Sequence, residues 1–303
     1  MLQKAGMLAV FFYLVPFLTF SSYAFAGGPT YWEISGTYVA DSESDEPGKN
    51  TEIQRNIIRV SIKHIQPIAT RKNLIWGVNY TSQSVSYSNF SSFSFDGKTV
   101  TSSDLPEELH ALDITLGYQT VINNFKTTFL FNPGVHGDFH EIDEDHLVYQ
   151  GSFLAEKKFG QNNRWGLGVF FSDNLGDEQV LPLARLFWYP NKYWFLETTL
   201  PKDFKAGYRF SKNTSFGLGA NLYGYQYRLT KGPFNGEVLS YKEIQLGPFY
   251  EYKFSQGRGL FKLMGGVSAG QNFEFKDKDN DNKIAEGDLK KAGFVSLSLR
   301  YRF

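Results

Sequence analysis

Cysteine is absent from the 303 residues, which excludes a disulfide framework, a thiolate metal site and lipid attached to an N-terminal cysteine. Net charge is absent too. Thirty-one Lys and Arg residues offset 31 Asp and Glu, leaving no global field to draw a polyanion, so nucleic acid is excluded as a partner. Beyond Phe20 no uninterrupted apolar run approaches the roughly 20 residues of a spanning helix. Any membrane crossing therefore falls to strands. No solenoid repeat or low-complexity linker divides the chain, which reads as one domain after its leader.

The leader is the one segment with a helical apolar core. Lys4 precedes an apolar run from Met7 to Phe20, broken by Pro16 and followed by Ser21, Ser22 and the small-x-small triplet Ala24-Phe25-Ala26. This order predicts a cleavable signal peptide over 1–26 and a mature domain over 27–303. The alternative, an uncleaved anchor, is disfavoured by the shortness of the run.

Aromatic residues and glycine are plentiful: 29 Phe, 18 Tyr, 5 Trp and 29 Gly, at a negative mean hydropathy. Barrels in lipid carry aromatic girdles at both interfaces and small or polar residues inside, whereas soluble cores lean on Leu, Ile and Val. The last segment shows the pattern most clearly. Stepping back by twos from Phe303 gives Tyr301, Leu299, Leu297 and Val295, while Arg302, Arg300, Ser298 and Ser296 fall between them. Successive strand side chains point to opposite faces, so one face is apolar and the other carries two arginines and two serines. The same alternation runs through Leu74 to Thr81, Leu112 to Gln119, Ile244 to Lys253 and Phe261 to Phe273.

A terminal Phe303 preceded by Tyr301 and Leu299 at alternate positions resembles the signature that outer-membrane barrels present to their insertion machinery. The stretch Leu181-Pro-Leu-Ala-Arg-Leu-Phe-Trp-Tyr-Pro, with Tyr208-Arg209-Phe210, resembles a bacterial barrel family described as a domain of unknown function. The resemblance implies an outer-membrane barrel in contact with lipid and with that machinery. It implies no chemistry.

Turn residues between the alternating runs predict an antiparallel transmembrane β-barrel of about 14 strands, near 30–40, 54–66, 73–87, 108–121, 125–137, 146–158, 164–174, 180–190, 193–200, 204–211, 215–229, 242–255, 259–273 and 291–303. Twelve strands is the alternative, because the pair at 193–200 and 204–211 is short for a span of about 9–11 residues. An even count puts both termini on one side, the periplasm in an outer-membrane barrel. Turns there should be short, and the connections near 41–53, 88–107, 138–145, 175–179, 201–203, 230–241 and 274–290 should face outward.

With the apolar faces outward, the lumen is expected to hold Arg59, Lys63, Asp113, Lys126, Glu156, Arg185, Glu197, Lys205, Arg209, Glu251, Lys253, Lys262, Arg300 and Arg302. Interior charge persists only when hydrated or paired. A hydrated pore with a basic excess would pass small solutes with a mild anion preference. A paired network, Arg185 with Glu197 for instance, would instead stiffen a filled barrel, and inward Phe187, Tyr223, Tyr225 and Phe249 point toward partial filling. The leading expectation is thus a passive channel for a small-molecule solute. The alternative is a non-conducting barrel acting through its outer loops.

One loop carries a cation motif. Asp277, Asp279, Asp281, Lys283 and Asp288 fall at positions 1, 3, 5, 7 and 12 of an EF-hand-like calcium loop, Lys283 offering its backbone carbonyl. Asn282 stands in place of the usual Gly and Asp288 in place of the bidentate Glu, so the expected cofactor is weakly held calcium, against the alternative of a solvated acidic loop. The run Asp138 to His146 has two histidines among carboxylates but no recognised ligand spacing, and reads as a solvated loop. No histidine sits in a nucleophile motif, so no enzymatic activity is expected.

Overall fold

A computed structural model describes residues 28–303 except 45–50, 91, 96–97, 143, 175–177, 232–233, 235 and 278–282. The predicted signal peptide therefore lies outside the described residues. Strands follow at β1 (Thr30–Glu43), β2 (Glu52–Ala69), β3 (Lys72–Ser88), β4 (Phe93–Phe95), β5 (Lys98–Val100), β6 (Glu108–Ile122), β7 (Phe125–Gly137), β8 (Leu147–Phe159) and β9 (Asn163–Ser172). They continue with β10 (Gln179–Trp188), β11 (Trp194–Leu200), β12 (Asp203–Arg209), β13 (Thr214–Arg228), β14 (Val238–Phe254), β15 (Gly259–Lys276), β16 (Lys283–Leu289) and β17 (Ala292–Arg302).

Fourteen of these strands form one closed antiparallel ring. Neighbours in sequence pair with one another, β15 skips to β17, and β17 pairs with β1 from Tyr31↔Arg302 to Val39↔Phe294. The strands near 193–200 and 204–211 are both present, which excludes the 12-strand alternative. Three short strands stay outside the ring. β4 and β5 make a hairpin within the connection 89–107, and β16 pairs only with β15, so part of the connection expected as an open loop at 274–290 is extended sheet.

Connections at the end bearing the chain termini are short. Asn123 and Asn124, both at positive φ, turn β6 directly into β7, the two-residue geometry whose twist matches that of the strands it joins. Long connections gather at the opposite end, here termed the loop end.

The outer face is apolar in register. Leu167 is 60%, Leu218 59%, Leu246 55% and Val295 53% exposed, whereas Gln83 and Gln245, one residue out of phase, are 0% exposed. Hydrophobes facing out and amides facing in suit a wall surrounded by hydrocarbon. Around the terminus end Tyr193 and Trp194 lie 5.6 and 5.2 Å from Tyr208, Phe210 stacks on Phe216 at 4.8 Å and Tyr301 meets Phe303 at 5.0 Å. Their amphipathic rings form the interfacial girdle of such walls.

Wall height is uneven. β2 and β15 have 18 residues each, β11 and β12 only 7, about 23 Å even untilted at 3.3 Å per residue. Above that low segment β13 continues to Arg228 and meets β7 there in parallel, at Arg228↔Gly137. The amide of Asp138 donates to the Arg228 carbonyl at 3.2 Å. The ring is thereby pinched at the loop end, past five intervening strands.

Asp138 secures the pinch. Its carboxylate accepts from the Thr230 amide at 2.9 Å, the Thr230 hydroxyl at 2.6 Å and the Lys231 amide at 3.2 Å. Burial works to raise its pKa, but the hydrogen bonds from Thr230 and His140 outweigh burial and hold it below the ordinary value. A depressed carboxyl contributes stability above its unfolded pKa, about 3.9, and loses it as pH falls through the lowered folded value. Loops 138–146 and 229–237 should therefore resist limited proteolysis at pH 5 as at pH 7 and loosen only below about pH 4; Asp138→Ala should expose both at pH 7. On the outer face, Leu246→Arg should cost about 2–4 kcal/mol, the charge sitting near mid-span, read from the urea midpoint of the barrel refolded in vesicles, with Leu246→Phe as the neutral control.

Candidate functional site: the barrel lumen

The interior divides along its axis. At the loop end an apolar cluster fills the interior: Val85, Leu109, Tyr227, Leu239, Tyr241 and Phe273 pack together with Val100, Leu105, Phe234 and Leu289 contributed by the connections. Phe234 stacks on Phe275 at 4.7 Å and Tyr241 lies 4.5 Å from Phe273. Side chains occupy the space that an open mouth would leave to water.

Beneath this cluster sits a buried polar knot. Arg55 and Glu243, both 0% exposed, pair at 3.0 Å. The same guanidinium donates to Gln271 and lies 4.2 Å above the Tyr241 ring. Glu243 also accepts from the Ser268 hydroxyl and from Gln245 at 2.8 Å. A charge taken out of water needs this number of partners to persist. Neither Arg55 nor Glu243 was singled out in the sequence, although Arg55 precedes Arg59 and Lys63 on the same strand face at steps of four.

Toward the termini the lumen opens into a cavity of about 600 Å³ lined by Arg59, Glu197, Lys262 and Arg300, together with Glu33, Lys202, Asp203, Lys205, Asn221 and Glu251. Lys202 and Asp203 sit at the loop-end turn of β11 and β12, and they reach the cavity because those strands are so short. A second space of about 320 Å³, lined by Tyr31, Lys63 and Ile65, shares Glu33, Ser61 and Arg300 with the first. Its strand-end residues place it at the terminus-end mouth.

Ion pairs line the lumen wall. Lys205 bridges Glu197 at 2.9 Å and Glu251 at 3.0 Å. Glu197 also accepts from the Tyr189 hydroxyl at 2.8 Å, and Arg209 stands 3.8 Å from it while lying over the Tyr189 ring. Arg300 pairs with Glu33 at 2.6 Å. Arg59 donates to the Tyr225 hydroxyl at 2.8 Å and lies 4.5 Å above the Tyr223 ring. Lys205 and Lys262 sit over the Phe249 ring at 5.7 and 5.6 Å, where the ring's negative face attracts a cation.

The expected pairing of Arg185 with Glu197 is not formed. Register sets Arg185 opposite Thr199 and Glu197 opposite Lys205, so Arg185 turns to the β8 side and meets Glu156 at 3.3 Å. Lys126 lies opposite Glu156 in the register of β7 and β8. Asp113 belongs to the loop-end half, where it meets His136 Nε2 at 2.9 Å. The other ring nitrogen faces the Gln226 carbonyl at 3.3 Å, so neither addresses a hydroxyl nucleophile.

Two further predicted groups lie elsewhere. Leu299 and Tyr301 belong to β17, in register with Ile34 and Trp32 of β1, and Phe303 follows, its amide donating to the Thr30 carbonyl at 3.0 Å. Of the calcium motif, Asp279 and Asp281 lie outside the described residues. Lys283 and Asp288 belong to β16, and Asp288 accepts from Asn272 at 3.0 Å.

Residues 23–302 match the model of a domain family of unknown function, DUF6268. No curated protein matches. Among solved structures, the chain is similar to the COG4313 outer membrane channel from Pseudomonas putida F1, at 11% identity and a TM-score of 0.46, over 93% of this chain and 98% of that one. It is also similar to the Pseudomonas putida toluene transporter TodX, at 8% identity and a TM-score of 0.38 over 93% and 90%, and to LpxR from Salmonella typhimurium, at 9% and 0.35 over 89% and 99%.

Removing one member of the buried knot tests its energetics. Glu243→Ala should destabilise the barrel by about 3–5 kcal/mol, because Arg55 is then left buried and uncompensated. The double change Arg55→Met with Glu243→Leu should recover most of that loss, as read from urea titrations in lipid.

Proposed function

This chain belongs to the DUF6268 family, and from its interior we propose an outer-membrane conduit for small solutes, shut at the loop end. The observation that carries the reading is the polar cavity of about 600 Å³, which shares Glu33, Ser61 and Arg300 with the space at the terminus-end mouth. A barrel built only for rigidity would fill this region as it fills the loop end. Here the wall instead holds charges around open space, where water must hydrate them. In the same reading the short turns face the periplasm and the long connections the outside, and the protein is not an enzyme.

The apolar cluster and the Arg55 knot act as the closed gate. They fill the lumen at the end that carries the long connections, below loops that a ligand or a partner could draw aside. The same filling favours a second reading, a non-conducting barrel that works through its outer loops, with calcium on the motif from Asp277 to Asp288. Under that reading, chelation should raise protease sensitivity around 277–288; equal cleavage with and without calcium counts against it.

Conduction separates the two. In planar bilayers the wild-type barrel should show brief, small openings, and Leu109→Ser with Leu239→Ser, which loosens the apolar cluster, should raise the open probability severalfold. Native folding of the variant is checked by heat-modifiable gel mobility. Silence from both proteins, correctly folded, would eliminate the conduit.

A further inference from the structure

The charges of the terminus-end lumen do not cancel. Glu33, Glu156, Glu197 and Glu251 each have a cationic partner, and those four carboxylates engage Arg300, Arg185, Lys205 and Arg209. Four inward lysines remain outside any ion pair among the described residues: Lys63, Lys126, Lys202 and Lys262. Arg59 is a fifth cation without a carboxylate, held by the Tyr225 hydroxyl and the Tyr223 ring. Against these five stands Asp203, a cavity-lining carboxyl that likewise has no ion pair among the described residues. Lys63 shares the space at the mouth with Arg300.

We propose that this half of the lumen binds a small oxyanion carrying more than one negative charge, of the phosphate or polycarboxylate class, as the solute of the conduit. The proposal rests on the conduit reading and gives it a substrate class. Like charges gathered inside a wall surrounded by lipid repel one another, and the carboxylates among them are too few to supply the counter-charge. An anion supplies it. Arg59, Lys202 and Lys262 line one cavity from β2, the β11–β12 turn and β15, and an ion with oxygens on several sides offers each of them an acceptor, as a single negative atom does not. Each ammonium brings three donors, and the rings of Phe249 and Tyr223 hold Lys262 and Arg59 without neutralising them. Lys63 at the mouth and Lys202 deeper inside make the path positive from its entrance, which concentrates anions at the opening.

The test uses the whole barrel purified in detergent. Equilibrium dialysis with inorganic phosphate should show saturable binding that is screened by salt. Lys202→Glu with Lys262→Glu should weaken it at least tenfold, while Asp203→Asn should leave it equal or tighter. In bilayers under a potassium chloride gradient, the reversal potential should report chloride preference and move toward potassium in the double variant. Absence of phosphate binding, or potassium preference in the wild type, would overturn the oxyanion proposal. Phosphate binding by a barrel that never conducts would instead defeat the conduit and leave the anion site standing.

Discussion

In hydrocarbon an unpaired backbone N–H or C=O costs several kcal/mol, and that penalty governs this molecule before any side chain is considered. A helix could satisfy it locally, but no described helix is long and apolar enough to cross a membrane. Strands satisfy it only as a ring without edges, so the pairing of β1 with β17 is the interaction on which the others depend. Once the ring is closed, alternation gives each strand one face for lipid and one for the lumen. The two faces then answer to different chemistry.

Uneven strand length turns that ring into something other than a uniform tube. β11 and β12 end early, and β13, deprived of a tall neighbour on that side, finds β7 at Arg228↔Gly137. The mouth contracts, and side chains that would line a wide rim meet across it: Leu109 from β6, Tyr227 from β13 and Phe273 from β15 belong to one cluster. The short pair has the opposite effect lower down. It sets Lys202 and Asp203, turn residues in a taller wall, beside Arg59 and Lys262 in the cavity. One local property of the backbone thus fills one half of the lumen and adds charge to the other.

Much of this was legible from residue order. All fourteen ring strands follow from alternation and turn residues, because a period of two leaves no freedom in which face Leu246 or Gln245 takes once the neighbouring strand is placed. Arg59, Glu197, Lys205, Glu251, Lys262 and Arg300, which line the cavity, take their inward face by the same parity. What parity lacks is register. Arg185 and Glu197 lie on adjacent strands and the same face, yet they are offset by one inward position, and only the pairing Phe187↔Glu197 reveals it. The contact between β7 and β13 was equally hidden, since it joins residues 91 positions apart (137 and 228) with no pattern of their own. So was β16, whose residues read as a cation loop rather than as a strand.

The two halves of the lumen also explain each other's composition. Where loops cover the interior, apolar contact between rings and aliphatic groups stabilises the packing; charge admitted there is paired, Arg55 with Glu243 beside Gln271 and an aromatic face, Lys276 with Glu274. Where the lumen opens into the cavity, Lys202 and Lys262 line open space with no ion pair among the described residues. Moving either set to the other level would fail: an unpaired lysine under the loops would be desolvated, and an apolar cluster at the wet end would gain nothing from contact with water. The boundary between the halves lies where the Arg55 knot sits, the level at which the interior changes from packed to open.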